Sequence, residues 1–129
     1  MDKVQATCAV IYNNNNQFLL IKRGRDPFAG RWALVSGIGE TKKSLPTDTA
    51  VAGEVDCDLR TNFHGKEVFV LPVENDEFIY ETVVFAGTVD ESRMTILPPY
   101  SMGYAWFTRE EIAKLGPLAY EHNEILERY

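Results

Sequence analysis

Glu54 and Asp58 stand four residues apart in a stretch of helical composition, which lines their carboxylates up on one face of a helix. Two like charges at that spacing repel by about 0.2–0.5 kcal/mol. A divalent cation reverses the sign, because Mg²⁺ takes one or two carboxylates and completes its shell with water and phosphate oxygens. Upstream, Ser36-Gly37-Ile38-Gly39 is followed at once by Glu40, which could lean toward the same place. Glycines there imply positive φ angles or a backbone that another group approaches closely. Gly53 costs roughly 1 kcal/mol against alanine in mid-helix, so either something packs closely on it or the weakness is tolerated. Cys57 lies close to the pair, and Asp56 points elsewhere. A solvated acidic face is the ordinary alternative. The chemistry within reach is cation-assisted work on phosphate.

The elements that must position these groups follow from pattern. Val4 to Tyr12 reads as a strand, and Asn13-Asn14-Asn15-Asn16 as a hairpin turn, since asparagine tolerates left-handed backbone angles. Phe18 to Arg23 is the partner strand, apolar enough for burial on both faces. Arg25 to Gly30 is a loop by its proline and glycine. Trp32 to Val35 is a short strand, broken by Ser36-Gly37-Ile38-Gly39. The acidic helix begins near Ser44-Leu45-Pro46, where proline is tolerated, and runs to about Leu59. Its stripe of Ala52, Val55 and Leu59 is expected to face the core. Two strands follow, Glu67 to Val73 and Phe78 to Val89, around the turn Glu74-Asn75-Asp76-Glu77. Tyr104 to Phe107 is a final strand, Thr108-Arg109-Glu110-Glu111 a capping box, and Leu118 to Tyr129 a last helix after Gly116-Pro117. Helices covering a mixed sheet make this an α+β chain.

Bulk properties narrow the partners. A length of 129 residues, 45% hydrophobic and 25% charged, is expected to form one globular domain over 1–129. A net charge of −6 argues against wrapping a nucleic-acid polymer, which needs clustered lysine and arginine. It leaves small phosphorylated ligands open if a cation bridges the two negative partners. Cys8 and Cys57 form no disulfide framework, so reduced thiols and a cytoplasmic location are expected. No run approaches the roughly 18 apolar residues of a membrane span, so no membrane partner is expected.

The stretch around the carboxylates resembles the signature of the Nudix hydrolases, G-x5-E-x7-R-E-U-x-E-E-x-G-U with U apolar. Trp32-Ala33-Leu34-Val35-Ser36-Gly37 is similar to that family's Trp-x-Leu-Pro-Gly-Gly entry. Gly37 resembles the opening glycine and Glu40 the glutamate that often follows. Glu54-Val55 resembles the Arg-Glu-U step, with Gly53 in place of the arginine. Cys57 and Asp58 occupy the positions of the paired glutamates, and Arg60 that of the closing glycine. The spacing is longer than the signature's, with extra residues around Thr41-Lys42-Lys43, and Lys43 stands near the usual first glutamate. The opening hairpin and the Tyr104-to-Thr108 stretch also keep the Nudix order, so the resemblance covers essentially the whole chain.

The resemblance implies a Nudix-type α/β/α sandwich with a mixed central sheet. It implies Mg²⁺ or Mn²⁺ held by Glu54, Asp58 and the Gly37 carbonyl, with Glu40 assisting. Arg23 and Arg25 are candidates for substrate phosphate, Glu81 for a base, and Asn123 for reading a purine edge. Surface positions are the plainer alternative for all four, and structural roles for His64 and His122. Tyr104, Trp32 and Trp106 are expected in the core. The implied function is metal-dependent hydrolysis of a nucleoside diphosphate-linked substrate. The alternative is a catalytically inactive Nudix-fold module that binds a nucleotide or a protein partner. Cys57 is a soft ligand poorly suited to Mg²⁺, and the missing arginine weakens the support of Glu54. A homodimer is a further implication.

Overall fold

Strand β1 (Val4–Ile11) has Cys8, Ala9, Val10 and Ile11 fully buried, so layers must cover both of its faces. The computed structural model describes residues 4–38, 46–74, 79–96, 98 and 101–129. The remaining strands are β2 (Phe18–Arg23), β3 (Trp32–Ala33), β4 (Val35–Ile38), β5 (Phe63–Glu74), β6 (Ile79–Val89) and β7 (Ser101–Phe107). The helices are α1 (Thr47–Leu59), α2 (Arg109–Ala113) and α3 (His122–Arg128). The central sheet has the order β4-β1-β6-β5, with β1 parallel to β6 and the other pairs antiparallel. A second, antiparallel sheet runs β3-β2-β7.

Alternation along β1 feeds two cores. Cys8 and Val10 join Ile112 of α2 and Ile125 and Leu126 of α3. Ala9 and Ile11 join Val51, Val55 and Leu59 of α1. Helices thus cover both faces of a mixed sheet, the α/β/α arrangement implied by the sequence.

The asparagine turn forms as expected. Asn13 Oδ1 accepts from the Asn15 and Gln17 amides at 2.9 and 3.2 Å, and Asn16 takes φ 57°. Beyond the single Tyr12–Phe18 bridge, however, β1 and β2 part into different sheets. The expected break at Ser36 instead falls at Leu34. The Leu34 amide turns to His122 Nδ1 at 3.0 Å, while Ser36 and Gly37 pair with Cys8 and Thr7 inside β4. Strand pairing draws on backbone groups alone, which glycine supplies as well as any residue.

In α1 the buried stripe is Val51, Val55 and Leu59, one row at four-residue spacing; Ala52 is only half-buried. Pro46 caps the helix, and Arg60 ends it in the left-handed region at φ 56°, where glycine is usual. β5 is longer than expected, and β7 begins at Ser101. The capping box on α2 forms, with Glu111 and Thr108 bonded reciprocally. The last helix starts only at His122, because the chain turns at Tyr120 with φ 49°. The start near Ser44-Leu45, and residues Asn75-Asp76-Glu77 of the turn before β6, lie outside the described residues.

Gly53 is exposed, and a Cβ there would meet nothing within 4 Å, so no close neighbour accounts for it. Gly53→Ala is therefore expected to raise the unfolding free energy by about 1 kcal/mol in a urea titration. A loss of stability would show that the position is crowded.

Candidate functional site

The site is built around a missing side chain. A Cβ on Gly37 would fall directly on the carboxyl group of Glu54. Gly37 lies on the edge strand β4, on the same face as Val35, which packs in the α1 core. Seating Val51, Val55 and Leu59 under the sheet turns the neighbouring row, Glu54 and Asp58, toward that edge. Both carboxylates are half-buried. Ser101, at the start of β7, ties the far end of α1 in place through its hydroxyl, which donates to the Asp58 carbonyl at 3.3 Å.

The two acids hold their protons more tightly than usual. Burial raises the Glu54 pKa most, Asp58 raises it further, and Arg25 opposes both. Burial also pushes Asp58 from 3.8 up to about 6, against the pull of Arg25 and Arg23. This donor set suits a hard divalent cation: two oxygen donors, each ionising reluctantly, beside a strand edge bare of side chains. Among the described residues no group of three or more His, Cys, Asp or Glu side chains converges as metal ligands. Cys57 is exposed.

A cleft of about 340 Å³ opens on the opposite face of the sheet. Its walls include Ser36 and Gly37 of β4, Tyr80 and Thr82 of β6, and Tyr120, Glu121 and His122. Arg23 and Arg25 border it as well. Gly37 is thus common to the cleft wall and to the Glu54 contact, which joins the acids to the cavity.

Arg23 is fixed on two sides. Its Nε donates to the Pro27 carbonyl at 2.7 Å, and its guanidinium lies 5.2 Å from the centre of the Tyr120 ring. The overall fold is shared with solved proteins. A MutT NUDIX hydrolase from Burkholderia pseudomallei is similar over 98% of both chains, with TM-score 0.83 and 21% identity. The NUDIX domain of Shewanella oneidensis NrtR, solved in complex with ADP ribose, has TM-score 0.81 at 16% identity over 99% of this chain and 86% of that one. A MutT protein from Methanosarcina mazei has TM-score 0.80 at 22% identity, over 99% and 94%. No curated protein is significantly similar in sequence. The NUDIX domain model matches residues 2–129. The chain belongs to the NUDIX family.

Of the residues singled out in the Nudix sequence pattern, the structure brings together Gly37, Glu54, Asp58, Arg23 and Arg25. Glu40 lies outside the described residues, as do Gly39, Lys42 and Lys43. Glu81 shares the face of β6 that carries Val83 and Phe85 toward α1, and Gln5 Nε2 donates to it at 3.3 Å. Asn123 is not brought to the cleft. Its Oδ1 accepts from the Leu118 amide at 2.8 Å, and it borders a separate depression with Arg109 and Ile112. Trp32, Tyr104 and Trp106 are half-buried against the two cores. Sequence reasoning passed over Tyr80, Tyr120 and Glu121 and gave His122 a structural role only. The adjacency of Tyr120, Glu121 and His122 was the one signal for them, and it shows no spacing rule.

The Asp58 shift has a stability consequence. Because the folded chain binds this proton more tightly than the unfolded one, Asp58 contributes stability that is present in full below about pH 4 and is lost as pH rises through 6. Asp58→Asn, without divalent cation, is expected to be more stable than the parent at pH 8 by up to about 3 kcal/mol. The advantage is expected to vanish near pH 3.5. Urea unfolding at both pH values checks this; a pH-independent difference would contradict it.

Proposed function

We propose that this Nudix chain is a metal-dependent hydrolase of a nucleoside diphosphate linked to a second group. The observation that carries the reading is the half-buried Glu54–Asp58 pair against the bare edge at Gly37, with Arg23 and Arg25 between it and a cleft. Isolated carboxylates so placed repel and resist ionising, which a cation relieves.

Mg²⁺ or Mn²⁺ would be held by Glu54, Asp58 and the Gly37 carbonyl, and when bound would supply a Lewis acid that polarises a phosphate and lowers the pKa of water. Arg23 and Arg25 bind the diphosphate oxygens and offset charge that builds on them as the reaction proceeds. Water attacks one phosphorus, the bond from that phosphorus to the bridging oxygen breaks, and a carboxylate, Glu40 or Glu81, accepts the proton released. The fixed Arg23 keeps the phosphate in line, since its guanidinium is already ordered by Pro27 and Tyr120. The similar NrtR domain was solved with ADP ribose, a ligand of the diphosphate-linked kind.

A second reading is a module that binds such a ligand without cutting it. It is favoured by Cys57, exposed where the family pattern has a glutamate, which leaves α1 with two carboxylates facing the site. Screening nucleoside diphosphate derivatives for cleavage into two phosphomonoesters, read as the phosphate that an added alkaline phosphatase then frees from them, with Mg²⁺ and with Mn²⁺, separates the two. Glu54→Gln is expected to lower kcat/KM at least about 10²-fold, some 3 kcal/mol of transition-state stabilisation. Equal background turnover by parent and variant would leave only the binding module.

A further inference from the structure

Arg23, Tyr120, Phe28 and Arg31 form one run of stacked side chains. The Arg23 guanidinium lies 5.2 Å from the centre of the Tyr120 ring, and Phe28 meets that ring edge-on at 4.8 Å. The Arg31 guanidinium lies 5.1 Å from the centre of Phe28. A cation thus stands at each end of an aromatic pair, attracted by the ring quadrupoles. Arg23, Phe28 and Arg31 belong to a turn that closes on itself. The Arg23 amide donates to the Arg31 carbonyl at 2.9 Å, the Gly30 amide to the Arg23 carbonyl at 2.8 Å, and the Arg31 amide to the Phe28 carbonyl at 3.1 Å. Tyr120 alone arrives from elsewhere in the chain, at the turn before α3. Both aromatic members take positive φ, 64° at Phe28 and 49° at Tyr120, which is strained for bulky side chains and is kept only where the surroundings enforce it. Core packing does not account for the tyrosine, which is 37% exposed.

What this stack orders is a side chain at the cleft. β2 slips its register against β7 between Lys22 and Arg23, so Arg23 leaves the regular ladder. A long side chain at such a place keeps its rotamers unless something removes them. Here Nε is engaged by the Pro27 carbonyl at 2.7 Å, and the guanidinium rests on the Tyr120 ring. One donor and one face are in use, which leaves the two terminal nitrogens, whose planar fork matches paired phosphate oxygens.

We propose that Tyr120 is a positioning residue that acts through Arg23. Its ring fixes the guanidinium plane, with Phe28 and Arg31 as backing, so that the terminal nitrogens meet a diphosphate as a preformed fork. The gain is in ordering already done before the ligand arrives. The role rests on the reading that Arg23 binds the diphosphate, and extends that reading to a residue outside the Nudix pattern.

Calorimetric titration of the intact protein with methylenediphosphonate and Mg²⁺ tests this apart from turnover, since water does not cleave the P–C–P bridge. Tyr120→Leu removes the π face at no greater backbone cost, because leucine is no more strained at φ 49° than tyrosine. It is expected to weaken binding about 3- to 10-fold, and Tyr120→Phe to restore it to within about 2-fold of the parent. In an Arg23→Ala background, Tyr120→Leu is expected to change binding by less than about 2-fold, whereas a merely structural role would cost the same in both backgrounds. In proton spectra of the parent, the Arg23 side chain is expected to show an upfield ring-current shift that persists when methylenediphosphonate binds. The proposal is overturned if Tyr120→Leu binds like the parent, if its loss is as large without Arg23, or if the ring-current shift disappears on binding. Should Tyr120→Leu not fold, the spectra of the parent decide. A parent that does not bind the probe would overturn the diphosphate reading and this role with it. A parent whose binding depends on Arg23 but not on Tyr120 would overturn this role alone.

Discussion

Glycine at position 37 is the constraint on which the site depends. It puts a stretch of strand edge with no side chain where the Glu54 carboxyl group lies, and any Cβ would occupy that volume. The same residue forms part of the cleft wall on the other side. One backbone position therefore separates the acids of α1 from the cavity by the thickness of a peptide. The core supports this arrangement indirectly. Val51, Val55 and Leu59 fix the rotation of α1 by packing with Ala9, Ile11 and Val35, and the next row of the helix faces the sheet edge.

Electrostatics then gives the place its character. Burial penalises charge on Glu54 and Asp58, and their proximity adds to the penalty on Glu54. Arg25 and Arg23 pull the other way, and Arg23 is held by Pro27 and Tyr120 rather than by the acids alone. Such a balance leaves acidic groups that gain from a cation and basic groups that gain from phosphate. Both gains come from one ligand if it brings the two together, as in a cation–diphosphate complex.

The acid pair was legible in the sequence because helical spacing is arithmetic, and the layered fold because apolar strands need cover on both faces. Beyond that, tertiary partners decided. Ser36 and Gly37 read as a break, yet β1 offered them backbone pairing, and the break moved to Leu34. That move depends on His122, 88 positions away, and no local pattern encodes such a bond. Ala52 gave way to Val51 because a four-residue row of larger side chains fills the core better than a mixed one. Asn123, legible as a base reader by likeness, is engaged by the turn that precedes its own helix. The residues that line the cleft from 120 to 122 became visible only when Tyr120 reversed the chain.

The central claim, that Glu54 and Asp58 bind a divalent cation at the Gly37 edge, is tested most directly by paramagnetic broadening with substoichiometric Mn²⁺. The amide resonances of Gly37, Glu54 and Asp58 should disappear first, while those of Asn13 and Arg109, which border a separate depression with Phe18 and Tyr129, stay sharp. Uniform broadening, or loss centred on another set of residues, would contradict the account.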